Sequence, residues 1–137
     1  MHKEIKTSTR KDIEKFIDNT SFKKIFLLVG STSYVESGLK NFFTNFKKKN
    51  IKIFFKKKNI PEYEELIKII NEINRFNPDL IIVSVLESTY FLAIDLLKSI
   101  PESQRKFKTL FGGVFATYAA EKVIKNEYVD YVCRGEG

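Results

Sequence analysis

The residues best suited to chemistry in this chain are small and hydroxyl-bearing, and they gather in three short runs. Gly30-Ser31-Thr32-Ser33, Leu86-Glu87-Ser88-Thr89 and Gly112-Gly113, with Thr117 just beyond, each follow an apolar stretch and lead toward an amphipathic one. Backbone N–H groups and hydroxyls at such junctions hold an anion or a flat polar ligand at close range. Neither phosphate-binding fingerprint is present. No glycine lies two residues after Gly30, and no Gly-Lys-Ser/Thr follows any of the runs. Small capping residues also suit strand-to-helix loops for structural reasons alone, so position is the main argument for a site.

Residues for general acid–base or nucleophilic catalysis are scarce. His2 is the only histidine and sits at the chain start, so a Ser-His-Asp or Cys-His arrangement has nothing to build on. Cys133 is the only cysteine and closes an apolar run, as a buried small residue does. A single cysteine excludes an internal disulfide and any iron–sulfur cluster held by this chain alone. Glu36, Glu87 and Asp95 could approach the same edge, but they read more simply as helix-end charges.

The elements that must position these runs alternate apolar stretches with amphipathic ones, the pattern of repeated βα units and a parallel sheet. Five strands are expected, over Ile25–Val29, Ile51–Phe55, Leu80–Val85, Phe107–Phe111 and Tyr128–Val132. Helices are expected over about 35–49, from Pro61 to Phe76, after Ser88-Thr89, and over about 117–125. Residues 1–20 are expected to form an N-terminal helical extension, with Ser8-Thr9 as its cap and Ile13, Phe16 and Ile17 on its apolar face. Residues 134–137 remain as a tail. The expected fold is one α/β domain, a three-layer flavodoxin-like (Rossmann-like) sandwich whose parallel sheet has the order 2-1-3-4-5. Ligands of such sheets bind beyond the carboxyl ends of the strands, at the switch in strand order.

The 137 residues suffice for one domain with its own core. The net charge of +7 comes largely from Lys47-Lys48-Lys49 and Lys56-Lys57-Lys58. Each run falls at an element end, where lysines complement a helix C-terminus or blunt an edge strand. No nucleic-acid-reading motif accompanies them, so a nucleic-acid partner is not expected. Without a membrane-length apolar run or a leader-like segment, the expected compartment is the cytoplasm, with no membrane association.

Asn77-Pro78-Asp79-Leu80-Ile81-Ile82-Val83-Ser84-Val85 and Gly112-Gly113-Val114-Phe115-Ala116-Thr117 form two segments in that order along the chain. The first resembles the third strand, and the second the Gly-Gly-x-His-Ala-Thr segment, of the cobalamin-binding domain of B12-dependent radical SAM proteins, a resemblance that runs from residue 77 onward. Tyr128 to Gly137, ending Cys133-Arg134-Gly135-Glu136-Gly137, is similar to the family's Val-Asp-Tyr-Val-Val-Arg-Gly-Glu-Gly. Ser84-Val85-Leu86 matches the Ser-x-Leu of the wider corrinoid-binding pattern. The best placement of that pattern's Asp-x-His-x-x-Gly is Ser33 to Gly38, where Val35 stands in place of the cobalt-ligating histidine. The resemblance implies a corrinoid site formed by Ser31, Ser33, Gly38, Ser84, Leu86, Ser88, Gly112, Gly113 and Thr117. It implies no metal ligand from the protein, and a radical SAM domain C-terminal to it in a longer parent. Such chemistry would need clustered cysteines that this chain lacks, so the chain by itself is expected to be non-catalytic.

A second resemblance covers the first half. Phe22 to Gly30, Ile60 to Glu65 and Asn77 to Ile82 are similar to the nucleotide-binding domain of iron-containing alcohol dehydrogenases. Val85-Leu86-Glu87-Ser88 stands where that family has the Gly-Gly-Gly-Ser that receives pyrophosphate, and Glu87 sets a negative charge there. Two further readings therefore accompany the corrinoid module. One is a chimeric, engineered or scaffold domain without a physiological ligand, and the other is a dehydrogenase-type nucleotide-binding domain.

Overall fold

A computed structural model describes residues 4–7, 15–17, 21–30, 49–56, 63–85 and 87–134. Among these described residues, six parallel strands form a single sheet: β1 (Glu4–Thr7), β2 (Lys24–Gly30), β3 (Asn50–Lys56), β4 (Leu80–Ser84), β5 (Lys108–Gly112) and β6 (Tyr131–Arg134). Their spatial order is β1-β6-β5-β4-β2-β3, so the five strands from β2 onward take the expected flavodoxin-like 2-1-3-4-5 arrangement. The helices are α1 (Tyr63–Phe76), α2 (Glu87–Lys98), α3 (Val114–Tyr118) and α4 (Ala120–Ile124), with a 3₁₀ turn at Glu102–Gln104. The helix expected over 35–49 falls almost wholly outside the described residues.

Alternation along the strands sorts their side chains into two cores. Phe26, Leu28, Ile81, Val83, Phe111 and Val132 pack against α1, α2, α3 and α4 through Ile69, Ile73, Leu97, Ala116, Ala120 and Val123. Ile25, Leu27, Val29, Leu80, Ile82, Leu110 and Cys133 face the other way, where Ile17 is fully buried and Phe16 packs edge-on to Tyr131. Burial on both faces is why these strands read as continuous apolar runs.

Three expectations need correction. Residues 4–7, expected within a helical extension, form a sixth strand paired in parallel with β6, from Glu4↔Tyr131 to Thr7↔Arg134. The pairing covers ladder groups that β6 would otherwise expose as the sheet edge. Residues 15–17 of the extension are helical. The last strand starts at Tyr131 rather than Tyr128, because Asp130 brackets the chain beforehand. Its Oδ2 accepts the Thr109 N–H at 2.9 Å, and its own N–H donates to Thr109 Oγ1 at 3.1 Å. The strand then runs on to Arg134, which was expected in the tail. The last helix is two short ones, broken at Ala119 (φ −118°, ψ 34°). Thr117 Oγ1 donates back to the Gly113 carbonyl at 3.0 Å, a bond that competes with regular helix geometry.

Asp79 joins the end of α1 to the start of the sheet. After Asn77 closes the helix at φ 53°, Asp79 Oδ2 accepts the N–H groups of Lys23 and Lys24, each at 2.9 Å. The Lys24 N–H, with that of Lys23 and both ammonium charges, holds the carboxyl below its ordinary value against the opposing effect of burial. A folded-state value below the unfolded one adds stability above the unfolded value, near pH 4, that disappears as pH falls through the folded one. Asp79→Ala is therefore expected to lower stability by about 1–2 kcal/mol at pH 7. The deficit relative to the parent should shrink on acidification toward pH 3, as read by urea midpoints.

Candidate corrinoid-binding edge

The carboxyl ends of β4 and β5 lie side by side, with Ser84 paired to Gly112. Alternation from Leu80 and Ile82 puts Ser84 on the same face as Gly112, which continues from Leu110, and Cys133 lies beside them on β6. A hydroxyl, a hydrogen and a thiol thus end a face that is otherwise aliphatic. The result is a shallow, small-residue edge.

The two adjacent glycines do different work. Among the described residues, a Cβ on Gly112 would meet only the Cβ of Cys133, at 4.0 Å, an ordinary contact. A Cβ on Gly113 would fall 2.8 Å from the Val85 carbonyl oxygen, 2.9 Å from the Val85 nitrogen and 3.0 Å from Ser84 Oγ. Gly113 also sits at φ 95°, ψ −174°, a region restricted to glycine. Its missing side chain is filled by the neighbouring β4–α2 segment, so glycine is required there for loop-to-loop packing. Val85 N–H donates to the Gly112 carbonyl at 2.9 Å, and Phe115 N–H to the Val85 carbonyl at 3.3 Å, completing the junction.

Beneath it, Tyr90 on α2 is buried against Phe111 and Phe115, with ring centroids 6.1 and 5.0 Å away. Burial pushes its phenol up, and a hydrogen bond with Asn126 opposes the shift. Val85 and Tyr90 were not among the residues expected at the site. The helical spacing of Tyr90 marks it only as core, and the role of Val85 is carried by its backbone.

Of the expected site residues, the structure brings Ser84, Gly112 and Gly113 together, with Thr117 one turn into α3. The Thr117 hydroxyl hydrogen is directed to the Gly113 carbonyl. Ser88 lies in the first turn of α2. Ser31, Ser33, Gly38 and Leu86 lie outside the described residues, as does Val35. No group of three or more His, Cys, Asp or Glu among the described residues is placed to hold a metal ion. No helix among them is long and apolar enough to cross a membrane.

Cys133 borders this edge, but burial pushes its thiol up to about 11. Since the thiolate is the reacting form, Cys133 is expected to resist an aromatic disulfide reagent at pH 8 in the native protein. One equivalent should react rapidly once the protein is unfolded in guanidinium. Rapid native reaction would show that the thiol is open to solvent.

Comparison with known proteins gives two kinds of likeness. The family model described as B12 binding domain matches residues 38–137, well over half of the chain. Among solved structures, the fold is similar to NADH-dependent butanol dehydrogenase A from Thermotoga maritima, with a TM-score of 0.68 and 12% identity over 97% of this chain. It is also similar to an iron-containing alcohol dehydrogenase from Corynebacterium glutamicum, with a TM-score of 0.62 and 12% identity, again over 97% of this chain. The match spans 42% and 39% of those chains, so this chain corresponds to about two-fifths of their length. No curated protein matches it in sequence.

Proposed function

We propose that this chain, which belongs to the B12-binding domain family, is a carrier module that holds a cobalamin at the carboxyl edge of its sheet without a protein histidine on cobalt. The observation that carries the reading is the Ser84–Gly112 pair, small side by side on one face, where among the described residues a Cβ on Gly112 meets nothing closer than Cys133 at 4.0 Å, with a fixed junction behind it. Those features suit a large flat ligand with a polar tail. Gly112 permits close approach, the Ser84 hydroxyl offers a short hydrogen bond, and Gly113 holds the two loops in register. Ser31, Ser33, Gly38, Leu86 and Ser88 complete the contact set by their resemblance to the family pattern. When bound, the corrinoid supplies the cobalt chemistry, while this chain binds, orients and screens.

Val35 at the aligned histidine position supports the absence of a protein cobalt ligand, and the 128–137 segment supports a radical SAM domain as partner in a longer parent. The likeness to dehydrogenases, at 12% identity, concerns the fold alone. Glu87 as the first residue of α2 speaks against a pyrophosphate at that helix start. A ligand that binds only the folded state raises stability by RT ln(1 + [L]/Kd), about 2.7 kcal/mol at a hundredfold excess over Kd. Hydroxocobalamin is therefore expected to raise the melting temperature by several degrees, and NADH to leave it unchanged. A rise with NADH and none with cobalamin would favour the nucleotide-binding alternative, and no rise with either would favour a ligand-free scaffold.

A further inference from the structure

A concavity of about 390 Å³ opens at the opposite, amino-terminal edge of the sheet, where β5 begins and the turn after α4 runs into β6. Asp130 lines it while remaining only 6% exposed. Its bracket with Thr109 engages Oδ2, at 2.9 Å from the Thr109 nitrogen and 3.4 Å from its Oγ1. Oδ1 takes no hydrogen bond among the described residues, yet it is not sealed from the cavity. A carboxylate oxygen on a nearly buried side chain, left without a donor at a cavity wall, is an acceptor for an N–H-bearing cation. Glu102 and Glu127 add two further carboxylates to the cavity lining.

Positive charge lines the cavity as well. The Arg105 guanidinium lies over the Tyr128 ring, 4.9 Å from its centroid. Contact with the ring takes up one side of the guanidinium, and its terminal in-plane N–H groups have the geometry that recognises carboxylates. Arg105 Nε is itself buried without an acceptor among the described residues, which leaves the terminal guanidinium nitrogens to meet a ligand, and Lys108 supplies a further cation. The carboxylates do not cluster as metal ligands do, which turns the acidic wall toward an organic ammonium rather than a divalent ion. Acceptors and a cationic fork share one cavity of amino-acid size.

We infer that this cavity binds a small zwitterion of the free α-amino-acid type, its ammonium on Asp130 and its carboxylate on Arg105. The site lies at the edge of the sheet away from Ser84 and Gly112, so it stands or falls independently of corrinoid binding. Titration calorimetry with the twenty common L-amino acids, each to about 10 mM, tests it with and without hydroxocobalamin. Saturable binding of at least one is expected, weakened about tenfold or more in both Asp130→Asn and Arg105→Gln. Asp130→Asn retains an oxygen for the Thr109 N–H, and circular dichroism reports whether each variant is folded. Should Asp130→Asn not fold, the partly exposed Arg105→Gln carries the test. No saturable heat with any of the twenty, or an affinity unchanged in folded Arg105→Gln, would overturn the inference.

Discussion

Gly113→Ala is expected to cost about 3–5 kcal/mol of folding stability, far more than Gly112→Ala at the neighbouring position. Two costs add. The backbone at φ 95°, ψ −174° is strained for any L side chain, worth about 1–3 kcal/mol. The new methyl would also lie 2.8 and 2.9 Å from backbone atoms of Val85, which is itself fixed by hydrogen bonds to Gly112 and Phe115. Neither partner is a flexible side-chain end, so β4, β5 and α3 must shift together, and strain in a close-packed junction costs a few kcal/mol more. Urea unfolding monitored by circular dichroism reads the loss. A midpoint within experimental error of the parent would mean that the junction is not packed as described.

Gly112→Trp is expected to do the reverse, sparing the fold and removing the ligand. Among the described residues a Cβ at Gly112 has ordinary contact with Cys133 and nothing nearer, so Gly112→Ala should cost under about 1 kcal/mol. An indole placed there projects from the small-residue face beside Ser84, the space assigned to the corrinoid. Cobalamin affinity should fall by about a hundredfold or more, corresponding to roughly 3 kcal/mol or more of lost binding energy. Gly112→Ala should lie between the parent and the tryptophan variant. Unchanged affinity in a folded Gly112→Trp would place the ligand elsewhere.

Much of the fold was legible because its physics is local and repetitive. Ile25–Val29 and Leu80–Val83 are buried on both faces and so appear as unbroken apolar runs. The α1 face of Leu66, Ile69, Ile70 and Ile73 repeats at helical spacing. What escaped depends on contacts distant in sequence. Glu4-Ile5-Lys6-Thr7 is too short and too polar to announce a strand, and it becomes one only because β6 lies open beside it. Tyr128-Val129 is as apolar as a strand start, but the bracket between Asp130 and Thr109, 21 residues apart, delays pairing until Tyr131.

The candidate edge was legible as residue types in a known order, Ser84 then Gly112-Gly113, and the sheet puts them together as that order requires. Sequence could not divide the labour between the two glycines. Side by side they look like a single opening for ligand, yet Val85 fills the place of one side chain, while at the other only Cys133, at 4.0 Å, is met among the described residues. That distinction exists only after β4 and β5 pair. The amino-edge cavity is hidden for the same reason, since Arg105 lies far in sequence from the 128–137 segment that holds Tyr128 and Asp130.

The most direct test of the central claim is gel filtration of the protein after incubation with excess hydroxocobalamin or adenosylcobalamin, followed by absorbance of the protein peak. The account predicts co-eluting corrinoid approaching one per chain, with adenosylcobalamin displaying the base-off spectrum expected when its nucleotide tail is held by the protein and no histidine replaces it. A colourless protein peak at saturating ligand would contradict it.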